Sequence, residues 1–394
     1  MEVLDAAIVG AGPFGLSIAA HLTHVGLDIQ TFGKPMTTWR SHMPRGMMLK
    51  SDGFASSLSA PAGSHTLKDY CAKNGIAYDD SAIPVSLEAF NDYALDFQRR
   101  FVPGLDQRSV ASITEKGQGF ELRLEDGELV TARKVVVAVG VTHFAYMPEV
   151  LANFGPQHVS HSSAHHDMER FRNCDVTVIG AGSSAIDIAA FLLESGARVT
   201  IVTRAAKIKY SSKPRPPSIW RKIRHPSSGL GPGLRSRIFC DWPQLYRFLP
   251  SSLRLAILRR HLGPFSLWYM ESRVRKANVV HGYEIDSANL QGNRIVLNMR
   301  RDGEAGRQIE SDHVIAATGY RVDLNRLSFM DEKIRSRIHG TGSMPTLSGN
   351  FESSVAGLYF VGLAAAGSFG PLMRFMYGAD FTARRIGRHF IGKR

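Results

Sequence analysis

Two glycine-rich turns carry the residue types best suited to chemistry in this chain. They are Gly10-Ala11-Gly12-Pro13-Phe14-Gly15 and Gly180-Ala181-Gly182-Ser183-Ser184-Ala185. Each follows a short apolar run, residues 6–9 and 176–179, and each opens an apolar, helix-prone stretch. In that setting the first glycine makes a tight turn and the second lets backbone approach a pyrophosphate. The third small residue lets helix and strand pack closely. The pyrophosphate then rests on unpaired amides at a helix N-terminus. One such loop implies one dinucleotide. Two in one chain imply that electrons pass between two nucleotides.

The elements that must position these loops follow from the apolar pattern. Residues 16–25 read as a helix stopped by Gly26, and 28–32 as the second strand. Helical spacing resumes at 67–74 and 87–101. Residues 120–124 and 129–139 alternate around Asp126-Gly127 as a hairpin, and the second strand ends as a buried run at Gly140. Residues 158–172 read as a polar connector into the second strand–loop–helix unit, 176–194, with the next strand at 199–202. Residues 205–250 are rich in Pro, Arg and Ser and show little periodicity, and 251–262 read as a capped amphipathic helix ending at Gly263-Pro264. Short strands follow at 279–299. Buried runs at 314–317 and 358–361 lead into Gly319 and Gly362, and a final helix at 371–390 has Pro371 in its first turn.

This order predicts an α/β protein with two Rossmann-like, three-layer dinucleotide-binding domains. The outer domain is expected from 1–155 and 310–394, with the second, 156–309, inserted into it and carrying a basic insertion at 205–270.

Composition narrows the class. A chain of 394 residues is long for a single core. Hydrophobic content of 44% and charged content of 21% are those of a soluble globular protein. No signal-peptide pattern precedes the first strand and no apolar run approaches membrane-spanning length, so a cytoplasmic enzyme is expected. Cys71, Cys174 and Cys240 lie far apart and form no C-x-x-C pair, which removes a redox-active dithiol. Between Arg204 and Lys276 stand 17 Lys/Arg against Asp241 and Glu271, a net of +15 in a chain of +13. The basic character belongs to one segment.

Around the first loop, around His161-Ser162, through Ser184-Ala185-Ile186-Asp187-Ile188-Ala189 and at Ala317-Thr318-Gly319-Tyr320, the chain resembles the class B flavin-dependent monooxygenases. Gly33-Lys34-Pro35-Met36, Trp39, Met43-Pro44, Gly46-Met47 and Gly370-Pro371 with Arg374-Phe375 are similar to a bacterial subgroup containing FAD-dependent urate hydroxylases. The resemblance implies FAD on the first loop and NADPH on the second. It also implies O₂ as co-substrate and oxygen transfer to a small molecule through a C4a-(hydro)peroxyflavin.

The residues sharpen that expectation. The strand after the second loop ends at Arg204, with Lys207 and Lys209 close behind and no acid, which suits a 2′-phosphate and therefore NADPH. The first site lacks the usual acid near Gly33, since none lies between Asp28 and Asp52, so Gly33 backbone and Lys34 are expected to hold the FAD ribose. The cofactor set is then Gly10, Gly12, Pro13, Phe14, Gly15, Gly33, Lys34, Trp39, Gly140, Gly180, Gly182, Ser183, Ser184, Arg204, Lys207, Gly319, Gly362 and Gly370. By the resemblance Lys50 and Ser51 lie near the flavin C4a, and Arg374, one turn into the last helix, reaches reduced flavin or an anionic substrate. Asp187 reads as structural. His158, His161, His165, His166 and Asp167 read as an interdomain connector and not as a metal site.

The basic segment also carries Trp220, Phe239, Trp242, Tyr246, Phe248 and Trp268. It is open to three readings: a lid over substrate, a membrane-surface contact, or a solvated insertion. No nucleic-acid motif accompanies it. Beside the monooxygenase stand two rivals: an NADPH-dependent flavin reductase serving a protein carrier or quinone, and a non-enzymatic FAD-binding redox sensor.

Overall fold

The apolar runs that flank the two loops become two parallel sheets, because a strand covered on both faces needs apolar side chains on both. The computed structural model describes residues 3–213, 226–261, 263, 265–301 and 306–392. The first sheet runs Leu358–Phe360, Val135–Val137, Ala6–Val9, Ile29–Phe32, all parallel. The second runs Asn278–His281, Arg198–Thr203, Asp175–Ile179, His313–Ala316, Val159–His161, again all parallel. In each sheet the strand feeding a glycine loop lies between the strand that follows its helix and a strand on the opposite side. The loop therefore opens where the winding reverses, the place at which such sheets bind ligands.

The helices Pro13–His24 and Ser183–Glu194 leave those loops. Leu16, Ile18, Ala19 and Leu22 of the first are fully buried, and its outer side packs against Gly378–Ile391. Among the described residues the chain also forms a mixed sheet, in which Val3–Leu4 runs parallel to its neighbour, an antiparallel three-stranded sheet, and the two-stranded ribbon Gly340–Thr341 with Met344–Pro345. The mixed sheet joins Val3–Leu4, Leu129–Ala132, Gly119–Leu124 and Val110–Lys116, and the three-stranded one Glu284–Gln291, Arg294–Arg300 and Arg307–Ser311.

Four expectations need correction. Residues 129–139 are two strands, not one: Leu129–Ala132 pairs with Gly119–Leu124, and Val135–Val137 enters the parallel sheet. The chain changes sheets at Arg133, whose amide donates to Leu4 and whose guanidinium meets Asp5 at 2.7 Å.

The connector at 158–172 contains a strand, Val159–His161, hidden by its Ser and His residues. Both are buried with partners: the Ser160 hydroxyl lies 2.6 Å from His165 and from His313, and His161 Nε2 lies 3.1 Å from Gly319 O.

The second sheet also runs past residue 310. His313–Ala316, assigned above to the outer domain, pairs with Asp175–Ile179 and Val159–His161.

Finally, residues 371–390 are not one helix. Pro371–Arg374 is a single 3₁₀ turn, Phe375 is extended (φ −123°, ψ 147°), and the long helix begins at Gly378. The fold-back is tight enough that a Cβ on Gly378 would lie 2.8 Å from Leu372 O. Arg374 therefore stands outside the helix expected to carry it.

The helix Ser251–Arg260 forms, preceded by Pro250 and without a side-chain cap, while Trp220, Leu262 and Pro264 lie outside the described residues. No helix among the described residues is long and apolar enough to cross a membrane.

Candidate active site between two nucleotide crevices

The first crevice is shaped by what its glycines leave out. Gly10 has φ +114°, and a Cβ there would run into Ala138 O, while one on Gly15 would run into Gly10 O. A Cβ on Gly12 would meet nothing within 4 Å. The loop is crowded against its own protein at both ends and open in the middle, the shape a pyrophosphate needs. Pro13 begins the helix where no bonded amide is lost. The Phe14 ring lies against Gly362 (φ +65°), 3.6 Å from where a Cβ would stand, and Gly140 (φ +73°) faces Thr38.

Residues 33–36 wrap this loop. The Gly33 amide donates to Asp106 O at 2.8 Å and the Met36 amide to Ala11 O at 3.0 Å. Asp106 is thus brought to the place where the sequence offers no acid. Its carboxylate is taken by Arg108 at 2.6 Å, whose hydrogen bonds hold it below the usual carboxylate range. Lys34 is exposed, and Trp39 is half-buried, edge-on to Phe90 at 4.8 Å.

The second crevice repeats the pattern. Gly180 has φ +139° and a Cβ there would lie 2.5 Å from Ala317 O. Gly182 is extended and precedes the helix. The Ser183 hydroxyl donates to Phe265 O at 2.7 Å, and Ser184 is exposed. Arg204 is 76% exposed and 3.7 Å from Glu284, an acid delivered by a later strand that the sequence reading missed. Lys207 is also exposed. The Gly319 carbonyl lies 3.1 Å from His161 Nε2 and accepts from the Tyr146 amide. His161 and Ala317-Thr318-Gly319-Tyr320, far apart in sequence, therefore form one cluster.

A segment of the first unit reaches across to the second. His42 Nδ1 lies 2.8 Å from Ser163 O, the Arg45 amide donates to His166 O at 2.8 Å, and His166 Nδ1 lies 2.6 Å from Met43 O. At its end Lys50 Nζ donates to Asp187 Oδ1 at 2.7 Å. Asp187 is buried in the second-loop helix, and burial pushes its carboxyl up even beside Lys50. Tyr269 contributes a buried hydroxyl to this neighbourhood, its pKa pushed up to about 12 by burial and the Asp187 charge. Arg273 lies over the Phe191 ring and pairs with Glu194. The one signal for this cluster was an acid inside an otherwise apolar helix, which demands a buried partner. Ser51 sits next to Lys50, its hydroxyl 3.0 Å from that of Ser56.

The basic segment covers the loop after the last parallel strand. Tyr246 packs over Gly370 (φ +82°), its ring 3.0 Å from where a Cβ would be, and its hydroxyl donates to Arg254 O. Arg254, buried, donates to Gly367 O at 2.8 Å. Arg374 donates to Leu258 O and His261 O, both at 3.3 Å, so its guanidinium fastens this cover. Of the remaining histidines, His165 and His313 share the Ser160 hydroxyl at 2.6 Å each, and burial holds them neutral, at pKa about 3 and about 4.

Residues 7–225 match the pyridine nucleotide-disulphide oxidoreductases. The chain belongs to that family. This pyridine nucleotide-disulphide oxidoreductase is an FAD-dependent enzyme, and FAD and NADP(H) are its cofactors. The two crevices, each crowded at its outer small residues, fit a pair of dinucleotides. Indole-3-pyruvate monooxygenase YUCCA1 of Oryza sativa subsp. japonica is 24% identical over 341 residues, 81% of this chain and 77% of its own length. Ferredoxin–NADP reductase of Ignicoccus hospitalis is 26% identical over 223 residues, 56% of this chain and 61% of its own. In fold, the ornithine N-hydroxylase of Kutzneria sp. 744 superposes with a TM-score of 0.81 at 16% identity, covering 100% of both chains. That likeness shows the shared architecture of two Rossmann-like units.

Proposed function

We propose that the protein is an NADPH- and O₂-dependent FAD monooxygenase that hydroxylates a small organic molecule, a heterocycle such as urate or an amine. The observation that carries this reading is the cover formed by residues 226–261 over the loop after the last parallel strand, anchored by Arg254 on Gly367 and by Arg374 on Leu258 and His261. Oxygen insertion needs water kept from the reacting centre, and a shielded flavin site meets that need. A reductase that hands electrons to a protein needs an open one. The separation of Cys71, Cys174 and Cys240, all free, agrees with the absence of a dithiol route.

In this reading FAD occupies the first crevice and NADPH the second, and the bound flavin supplies hydride acceptance and oxygen activation. Gly10, Gly12, Pro13, Phe14 and Gly15 seat the FAD pyrophosphate, with Gly33, Lys34, Trp39, Gly140, Gly362 and Gly370 shaping its walls. Gly180, Gly182, Ser183, Ser184 and Gly319 shape the NADPH crevice, and Arg204 and Lys207 bind the 2′-phosphate. Lys50 and Asp187 position one unit against the other, and Ser51 lies beside them. Arg374 holds the cover shut.

The test is NADPH oxidation with a panel of purines, other heterocycles and amines, followed by O₂ uptake, peroxide and product. The expected outcome is a substrate that yields one hydroxylated product per NADPH and O₂ consumed. Peroxide as the sole product across the panel, with anaerobic turnover on ferredoxin or a quinone, would establish the reductase instead. Binding of FAD with no turnover on any acceptor would leave the redox sensor.

A further inference from the structure

The cover has a second face. The helix Leu234–Asp241 places Leu234 and Ile238 four residues apart, with Trp242 four further on, and all three are exposed, at 64%, 38% and 53%. The 3₁₀ turns Pro243–Phe248 then take over with a repeat of three, which stacks Trp242, Leu245 and Phe248 along one edge. Leu245 and Phe248 are 54% and 79% exposed. Two helix types with different periods thus leave one continuous apolar stripe facing outward, while Tyr246 and Arg254 bind the inner face to Gly370 and Gly367. Scattered exposed apolar residues need no explanation, but five in register, two of them aromatic, mark a contact surface.

Charge identifies the occupant. Arg235 and Arg237 on the same helix are exposed, and Arg259 and Arg260 end the next one, also exposed. The whole segment carries +15 from 204 to 276. A second copy of this chain would bring the same charge to the contact and repel it. An anionic bilayer accepts both features, since Trp and Phe enter the headgroup boundary while arginines meet lipid phosphates. We infer that residues 234–248 dock the protein reversibly onto an anionic membrane surface. The inference does not rest on the reaction proposed above.

The experiment is co-sedimentation of the FAD-loaded full chain with phosphatidylcholine vesicles, alone or with about one-third phosphatidylglycerol. Binding is expected to the mixed vesicles only and to weaken with added NaCl, as screening shortens the reach of charge. Replacing Trp242 and Phe248 together by Ala should abolish it. Arg235→Gln with Arg237→Gln should lower the partition coefficient about 25-fold, or about fivefold per charge. Bound-flavin absorbance and the far-ultraviolet circular dichroism spectrum should stay unchanged in both variants. If the double alanine variant fails to fold, the arginine pair decides. Equal binding to both vesicle types, no binding, or wild-type binding by the arginine variant would overturn the inference. So would a dimer in light scattering that the Trp242/Phe248 variant dissolves, since a second copy would then own the stripe.

Discussion

Lys50 Nζ stands 2.7 Å from Asp187 Oδ1 and ties a loop beside the first glycine unit to the helix that leaves the second. The pair is unequal: the Asp187 side chain is 4% exposed and that of Lys50 24%. Lys50→Met therefore strands a dry carboxylate and should lower the unfolding free energy by about 3 kcal/mol. Asp187→Asn leaves an ammonium that can turn to water, and should lower it by about 1 kcal/mol. Urea unfolding of the two variants checks the order, which an equal or reversed pair of losses would contradict.

The glycines of the first loop should separate folding from cofactor binding. Gly12→Ala places its methyl in open space, so the protein should fold yet lose FAD absorbance on gel filtration. Gly10→Ala combines φ +114° with a collision against Ala138 O and should destabilise the fold itself by more than about 3 kcal/mol. Thermal unfolding by circular dichroism tells the two apart. A stable, flavin-loaded Gly12→Ala protein would disprove the role given to that crevice.

Arg204 is exposed and its contact with Glu284 at 3.7 Å is a weak surface pair, so the guanidinium is available to a phosphate. Arg204→Ala should lower kcat/KM for NADPH by roughly tenfold to a hundredfold and leave NADH almost unchanged. Steady-state rates with both nucleotides measure this, and parallel losses would show that Arg204 does not read the 2′-phosphate.

His165 and His313 predict acid lability. Burial lowers both below the ordinary value of 6.5, to about 3 and about 4, so between pH 6.5 and 4 the unfolded chain holds two protons that the native state refuses. Stability is therefore full above pH 6.5 and falls as pH drops, by up to about 1.4 kcal/mol per pH unit for each histidine. Thermal midpoints across that range should show the slope, and His165→Gln should flatten it by about half. A midpoint constant down to pH 4 would refute the assignment.

The parts legible in the sequence are those where local pattern and tertiary role agree. Both loops stand at strand ends because glycine spacing and apolar runs are written side by side at Gly10 and Gly180. The strand Val159–His161 was not legible, since its buried Ser160 and His161 find partners far along the chain, at His313 and Gly319. Asp187 was read as structural but its partner Lys50 was not foreseen, and Glu284 was not singled out at all. The reason is the same: each acquires meaning only from a residue of another element, Lys50 in one case and Arg204 in the other. Arg374 was misplaced because Pro371 suits a helix start, while the break at Phe375 depends on how closely Gly378 folds back on Leu372.

The strand His313–Ala316 sits inside the second sheet, between Asp175–Ile179 and Val159–His161. A ribosome releasing this chain exposes the second glycine loop long before that strand exists, and parallel pairing across such separations is slow. Both neighbours must wait with unpaired edges, the kind of surface that invites aggregation. The second nucleotide site is thus a late product of synthesis. A chain cut short before residue 316 would present sticky strand edges and not half an enzyme.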